Sequence, residues 1–492
     1  MSRRMVSFLA IFSAVACLIL IPAARAGEVS HARIVRLSYA LGDVQMSADG
    51  AAGWHKAIAN TPLREGNSLA TGDGRAEVEF ETGAMAWIAS NTVLEFPQLI
   101  LEDGAKNTQL AMKQGTATFY VQPGLHDSFA VEAGPLLIAT TESARFRLDV
   151  FDDGAAVSVL RGAVSVTANG TTQHLNGHST LALRSEAPGG GVVSTNPRSD
   201  AWDRWVSDRF TSVDEARLNS TNNLNAPFGY GMADLSFYGG WVMVPGYGLG
   251  WQPFGVGAGW SPFFNGYWDS FGLLGGPTWI SYEAWGWLPY HYGGWVFSPI
   301  YGWVWAPGSA GFALWSPATV FWMTTPSGIG WVARAPGETL KATAQNRAQG
   351  VVTNTSAGML AGSRNSILRG ADAAKVQMIG EWKGEGELNR IVQQGQSRKA
   401  PQATTTAAAL NIRSAQRMPA NGAPRIASAG MLAGHVQVYE PPIPPGHLGH
   451  GAGARESQGP AALPAGTPTG TRSEGPAGRS QSATGDAGKV KP

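Results

Sequence analysis

Apolar and polar residues alternate strictly in several stretches between residues 30 and 186. Ala76, Val78 and Phe80 fall on one face of an extended segment, and the positions between them are both glutamate. The same period of two recurs from Phe146 to Val150. Because successive side chains of a β-strand point to opposite faces, this period predicts half-buried strands with one face in water.

Asn-Gly and Asp-Gly pairs separate these stretches at short intervals. Both pairs supply the positive φ angles that tight hairpin turns require. The pairs are Asp49-Gly50, Asp73-Gly74, Asp103-Gly104, Asp153-Gly154, Asn169-Gly170 and Asn176-Gly177. Many short strands joined by such turns are typical of a sandwich or barrel, so residues 30–186 are predicted to form a small antiparallel β domain.

A helical period follows in residues 196–228. Trp202, Val206 and Val213 recur at roughly helical spacing, and Ser199 is a favourable N-cap residue just before them. We therefore predict a linker helix that packs between two β units.

Residues 230–334, called the aromatic module below, hold 13 Trp, 8 Tyr, 8 Phe and 21 Gly but only four charged residues. Gly and Pro recur too often in this stretch for long helices. A weak internal repeat is visible, since YGGWVMVPGYG begins at Tyr238 and YGGWVFSPIYG begins at Tyr292. The module is therefore predicted to consist of short aromatic strands joined by glycine turns.

The N-terminal segment has the pattern of a targeting signal. A basic start precedes an apolar run from Met5 to Ile21, and Ala24-Arg25-Ala26 is a small-x-small cleavage site. This layout predicts a secretory signal peptide over residues 1–26, cleaved after Ala26, and a periplasmic or extracellular location. Two alternatives stay open: an uncleaved membrane anchor, and a lipoprotein acylated at Cys17.

The C-terminal segment, residues 335–492, has very few aromatic residues and is rich in Gly, Pro, Ala and small polar residues towards its end. Such a composition cannot bury enough apolar surface to offset the loss of chain entropy. A low-complexity, largely disordered tail is predicted.

Charge and cysteine content narrow the possible partners. Residues 27–334 carry 16 Lys or Arg against 26 Asp or Glu, and an acidic folded region disfavours nucleic acid as a partner. Cleavage after Ala26 removes Cys17, the only cysteine, so the mature chain would form no disulfide. No second apolar run is long enough for a membrane span, so no membrane-spanning segment is expected once the signal peptide has been cleaved.

The sequence contains no recognisable catalytic motif. The nine histidines are scattered, and no metal, nucleotide or nucleophile motif is present, so no cofactor and no metal site are predicted. Glu283 and His291 are the most interesting polar pair, because both lie among aromatic residues. A structural contact is the default interpretation of that pair, and the chain is predicted not to be an enzyme.

The β region resembles the FecR domain of exported bacterial proteins. The residues that carry the resemblance are Gly42-Asp43-Val44, Trp54, Leu63, Gly66, Leu69, Thr71-Gly72, Phe146, Leu148, Val150 and Gly162-Ala163-Val164. The resemblance implies an antiparallel β-sandwich in the periplasm. Founding members of the family relay a transport signal to a sigma factor through a cytoplasmic segment, and only four residues precede the apolar run here. We therefore expect the fold and the compartment to carry over, but not the relay in that form.

The aromatic module resembles a Trp/Gly-rich module of unassigned function that follows FecR domains in exported proteins. Two interpretations of its aromatic residues stay open: they form the core, or some of them are exposed and stack on sugar rings or a partner chain. The candidate stacking residues are Trp285, Trp287, Trp303, Trp305, Tyr290 and Tyr292.

Three functions are consistent with this organisation. The first is a non-catalytic envelope protein that binds or scaffolds a glycan or protein of the cell envelope. The alternative is a FecR-type regulatory protein that acts through a partner. The third, a hydrolase of envelope polysaccharide using Glu283, is the least favoured.

Overall fold

The computed structural model describes residues 29–30, 33–48, 53–185, 191–197, 199–224, 230–271, 276–308, 315–325, 328–338, 342–354 and 365–378. The predicted signal peptide and the chain beyond residue 378 lie outside these residues. Among the described residues, no helix has the length and hydropathy needed to cross a membrane.

The fold is mainly β, as predicted. The N-terminal β domain contains strands β1 (Val29–Ser30), β2 (Val35–Ser47), β3 (His55–Lys56), β4 (Pro62–Leu63), β5 (Ser68–Phe80), β6 (Met85–Ile88), β7 (Thr92–Glu102), β8 (Ala105–Val121), β9 (Ser128–Ala133), β10 (Leu136–Thr140), β11 (Ala144–Phe151), β12 (Gly154–Arg161), β13 (Ala163–Ala168), β14 (Thr171–Asn176), β15 (Ser179–Arg184) and β16 (Val192–Thr195). All pairings are antiparallel among the described strands of this domain except that of β8 with β9.

Two long strands, β5 and β8, each run through both layers of the sandwich. β8 pairs with β7 and β9 along residues 105–114 and with β6 and β11 along residues 115–121. The change of partners falls at Gly115, whose φ is +94°, and a Cβ there would lie 2.3 Å from Oγ1 of Thr92. Only glycine fits such a corner without strain.

The sandwich core lies between the two layers. Phe129 of β9 packs edge-on against Phe80 and Phe119 of the opposite layer, with ring centroids 5.7 and 6.1 Å apart. Val78 and Leu148, on the apolar faces predicted from the period of two, are fully buried in the same cluster. The alternation therefore identified the inward faces of these strands correctly.

The linker contains helix α1 (Ala201–Thr221). Its N-cap is Asp200, not the predicted Ser199: the Asp200 side chain accepts from the backbone N–H of Asp203, and the Asp203 side chain accepts from that of Asp200. This reciprocal capping box satisfies two backbone donors that would otherwise be unpaired. Trp202, Val206 and Val213 are buried against the N-terminal β domain, so the predicted packing role of this helix agrees with the structure.

The aromatic module is built from short strands, as its glycine content predicts. Its described elements are α2 (Met232–Tyr238), β17 (Gly239–Val244), β18 (Gly248–Pro253), β19 (Gly266–Phe271), β20 (Gly276–Ser281), α3 (Trp287–His291), β21 (Gly294–Ser298), β22 (Gly302–Ala306), β23 (Val320–Thr325) and β24 (Gly328–Ala333). The two copies of the sequence repeat form hairpins β17–β18 and β21–β22 of one sheet, joined where Trp251 pairs with Trp305.

Part of the segment predicted as a disordered tail is folded onto the aromatic module. It contributes α4 (Ala344–Gln349), β25 (Val351–Asn354), β26 (Asn365–Leu368), α5 (Gly370–Ala374) and β27 (Gln377–Met378). The three strands join β23 and β24 in one sheet. Asn346 is buried, and its amide donates to the carbonyls of Trp295 and Ala333 and accepts from the N–H of Phe297. Composition alone could not show that this segment would find such partners.

Candidate functional site

The polar face of the N-terminal β domain is covered by α1 and the aromatic module. Glu77 and Glu79, predicted to face water, are only 1% and 7% exposed, and Arg147 is 3% exposed. The prediction of a wet face is therefore wrong for this part of the sheet. A periodic pattern separates the two faces of a strand, but it does not tell what packs against the polar one.

Paired charges add to the apolar packing that holds helix α1 to this face. Arg209 binds Glu77 through two hydrogen bonds of 2.6 and 2.7 Å. Arg147 bonds Asp149 on its own strand and reaches Asp200 and Asp203 at 2.8 and 3.1 Å. Such two-pronged contacts between guanidinium and carboxylate are among the strongest side-chain hydrogen bonds.

The aromatic module is joined to the same face by a second buried network. The guanidinium of Arg36 donates to Glu79 at 2.6 and 2.8 Å and lies 2.8 Å from Asp234 of α2. The second carboxylate oxygen of Glu79 accepts from the backbone N–H of Gly231 at 3.0 Å. Asn60 donates to the carbonyl of Glu283 at 2.8 Å and accepts from Arg36 at 3.2 Å.

A cleft of about 330 Å³ opens where the β domain, α1 and the aromatic module meet. Its charged lining consists of Arg36, Glu77, Glu79, Arg209 and Asp234, all of which belong to the networks above. Its apolar walls come from Tyr39, Leu41, Met85, Val213, Phe237 and Tyr238. We name this space the junction cleft.

Asp234 and Arg36, which form an ion pair in the junction cleft, both have shifted pKa values. Burial, with Glu79 nearby, raises the pKa of Asp234 to about 6 although Arg36 opposes the rise. Burial alone would lower the pKa of Arg36, but Asp234 and Glu79 together hold it above its usual value, so Arg36 stays charged. Asp234 therefore has a pKa of about 6, well above the usual value of an aspartate.

A family model described as FecR protein matches residues 67–165, which run from the edge of β5 into β13. The chain carries a FecR domain. A second model, a family of unknown function (DUF6600), matches residues 232–338, so a DUF6600 domain follows the FecR domain and coincides with most of the aromatic module. Both resemblances noted from the sequence are confirmed.

Two crystal structures of a candidate anti-sigma factor from Parabacteroides distasonis ATCC 8503 are similar to this chain. The one at 2.50 Å resolution shares 14% identity, with a TM-score of 0.24 over 30% of this chain and 72% of its own. The one at 1.65 Å shares 16%, with a TM-score of 0.25 over 32% and 76%. No curated protein matches the chain.

The six candidate stacking residues lie in the core beside the FecR domain. Trp285, Trp287, Trp303, Trp305, Tyr290 and Tyr292 are each between 0% and 5% exposed. Trp305 donates its indole N–H to the carbonyl of Tyr292, and Trp287 lies beside the junction, 5.8 Å from the guanidinium of Arg36. None of the six offers a ring face to solvent in this conformation, and their role in stacking stays a prediction.

Glu283 and His291 belong to separate hydrogen-bond networks. The Glu283 carboxylate accepts from Trp260, Ser281 and Tyr290 at 2.9, 2.5 and 3.0 Å. Burial raises the pKa of Glu283, and these three donors oppose the rise.

His291 is 1% exposed, with Nδ1 2.9 Å from the carbonyl oxygen of Ser316 and its ring stacked on Trp315. Burial lowers the pKa of His291 to about 4. Among the described residues, no cluster of three or more His, Cys, Asp or Glu could hold a metal ion.

The junction residues were missed by sequence reasoning, with one partial signal. Arg36, Glu79 and Arg209 look like ordinary surface charges, because each lies on the polar side of its own element. Asp234 is different, since it is one of only four charged residues in the aromatic module. A carboxylate that is buried in so apolar a segment requires a partner, and here that partner is Arg36.

Proposed function

We propose that this protein is a non-enzymatic regulatory protein of the FecR type that acts through a protein partner in the cell envelope. The observation that carries the proposal is the match of the FecR family model to residues 67–165. The signal-peptide pattern of residues 1–26 supports an exported location.

The firm junction between the two domains supports a scaffolding role for the aromatic module. Arg36 and Arg209 fix α1 and α2 onto the FecR domain, so a partner would meet one composite surface. Strand β14 lies at an edge of the sandwich and pairs only with β13 among the described strands. Most of its side chains are exposed, and an exposed edge can accept a strand from a partner.

Deletion of the gene followed by measurement of the transcriptome tests the regulatory role. We expect transcripts of a sigma factor or a transport locus to change several-fold, and to return when the wild-type gene is restored. An unchanged transcriptome would contradict the proposal.

Crosslinking tests the strand edge. A photo-crosslinker at Gln173 of β14 should capture a partner, whereas one at Asp208, on the exposed side of α1, is the control and should capture none.

Binding to an envelope glycan is the second candidate, and the exposed Tyr282, which packs beside the partly buried Tyr267, favours it. Tyr282 is 49% exposed, and its ring lies 5.7 Å from that of Tyr267 at an angle of 35°. The full mature chain should co-sediment with purified sacculi or insoluble polysaccharide. Tyr282→Ala should then lose binding while Tyr247→Ala, at a site 39% exposed, keeps it. Equal binding of both variants would remove this pair from the mechanism.

A further inference from the structure

We propose that the junction cleft is a binding site for a small organic cation, an ammonium group carried on an apolar body. This ligand site goes beyond the regulatory function proposed above, and it rests on the cavity, its charges and its walls. At about 330 Å³ the cleft lies at the lower end of the size range of small-molecule sites.

The cleft is lined by one more carboxylate than it has guanidinium groups. Three carboxylates, those of Glu77, Glu79 and Asp234, face two guanidinium groups. Arg209 is committed to Glu77 through both Nε and Nη2, and Arg36 bonds Glu79 through the same two nitrogens.

Asp234 is the carboxylate left with the poorest compensation. Its Oδ2 lies 2.8 Å from Nη2 of Arg36 but receives no well-aligned hydrogen bond from the described residues. Its side chain is 13% exposed and lines the cleft. Oδ2 itself is shielded from solvent, so an ammonium group would approach the part of the side chain that lines the cleft and supply the missing charge there.

The walls of the cleft suit an apolar cation rather than a metal ion. Tyr39 and Phe237 present aromatic rings to the same space as Asp234. The guanidinium of Arg209 lies 5.2 Å from the ring of Tyr39. Aromatic faces attract organic cations, and the attraction grows when the pair is shielded from water.

A series of probes of matched shape tests the charge requirement. Benzylamine, benzyl alcohol and benzoate differ at one substituent, which is cationic, neutral or anionic at pH 7.5. Titrations of the full mature chain by calorimetry should show binding of benzylamine, with an affinity at least about tenfold above the other two. Equal affinity for the three probes, or no binding of benzylamine at millimolar concentration, would overturn the proposal.

Two variants locate the binding. Asp234→Asn removes the charge and should weaken benzylamine at least about tenfold, while Asp208→Asn on the exposed side of α1 should leave it unchanged. Ala284→Trp fills the cleft without changing any charge and should also abolish binding. Unchanged affinity in either cleft variant, with a wild-type circular dichroism spectrum, would place the site elsewhere and overturn the proposal.

The pH dependence supplies an independent readout. The charged groups facing Asp234 are Arg36 of β2, Glu79 of β5 and Arg209 of α1. Because Asp234 has a pKa of about 6, benzylamine affinity should fall about tenfold between pH 7.5 and pH 5. A flat profile would contradict binding through this carboxylate. Benzylamine binding tests the cation site, and the transcriptome of the deletion strain tests the regulatory function. Because the two measurements are independent, either proposal can fail without the other.

Discussion

Arg36 of the N-terminal β domain and Asp234 of the aromatic module form an ion pair of 2.8 Å across the junction of the two domains. The pair is shielded from water, since the side chains are 2% and 13% exposed. Glu79 shares the same guanidinium, so Arg36 has two acidic partners from two domains. Arg36 is therefore the cation shared by the two carboxylates at this point of the junction.

Arg36→Met should weaken the attachment of the aromatic module severely. The substitution leaves Glu79 and Asp234 buried without their cation, and breaking a buried pair in this way costs about 3–5 kcal/mol. Calorimetry should show one cooperative transition in the wild type and a lower or split transition in the variant. Arg204→Met, at an exposed position of α1, is the matched control. Equal melting temperatures for the two variants would mean that Arg36 contributes little to the junction.

Asp234→Asn should behave differently, because its carboxyl has a raised pKa. In the folded protein this group holds its proton up to about pH 6, so its contribution to stability is present at low pH and is lost as pH rises through about 6. Relative to wild type, the variant should gain about 2–3 kcal/mol in free energy of unfolding between pH 4 and pH 7.5. Urea denaturation at both pH values measures this. If the variant instead lost stability relative to wild type between pH 4 and pH 7.5, the raised pKa of Asp234 would be contradicted.

Trp285→Ala should destabilise the aromatic module rather than remove a surface contact. Trp285 is 5% exposed and packs on Trp251, Trp260 and Tyr290 with ring centroids 5.3–5.8 Å apart. Removing so large a buried side chain costs about 3–5 kcal/mol. The melting temperature should drop by several degrees, whereas Tyr247→Ala should change it little. A stable Trp285→Ala protein with altered ligand binding would instead favour the stacking role.

Glu283→Gln should destabilise the protein at neutral pH. The carboxylate accepts from three donors, and an amide offers one oxygen while its NH₂ group meets donors already in place. We expect a loss of about 1–3 kcal/mol, the usual cost of unsatisfied buried polar groups. Thermal unfolding of the variant measures it, with Glu338→Gln outside this network as a comparison. Any polysaccharide-cleaving activity that survives in the variant would exclude Glu283 as its catalyst.

The folded part of the C-terminal segment should be needed for the stability of the aromatic module. A chain ending at residue 338, where the DUF6600 match ends, lacks α4 and strands β25 to β27. It also lacks Asn346, which bonds three backbone groups of β21 and β24. We expect such a chain to melt well below one ending at residue 378. Asn346→Ala in the longer chain should reproduce part of the loss, and equal melting of the two chains would show that the extra strands contribute nothing.

Local sequence patterns predicted the strands and turns well. Val78 and Leu148 are buried as their period of two indicates, and the repeat beginning at Tyr238 and Tyr292 corresponds to two hairpins of one sheet. These features are determined by neighbouring residues, because the direction of a side chain along a strand and the φ angle of a turn are local properties. The helix in the linker was predicted for the same reason, although its cap lies one residue further on, at Asp200.

Burial was decided by contacts between distant segments. Glu77 and Glu79 occupy the polar side of β5, yet α1 and the aromatic module cover that side and supply Arg209 and Gly231 as partners. Likewise, the sequence left open whether Trp285 was core or surface, because aromatic side chains suit both. Asp234 and Arg36 are almost 200 residues apart in the chain, and only the packing of α2 on β2 brings them together. The sequence by itself therefore determined which elements form and which faces are apolar, whereas the tertiary structure decided which faces meet, and with them the junction cleft.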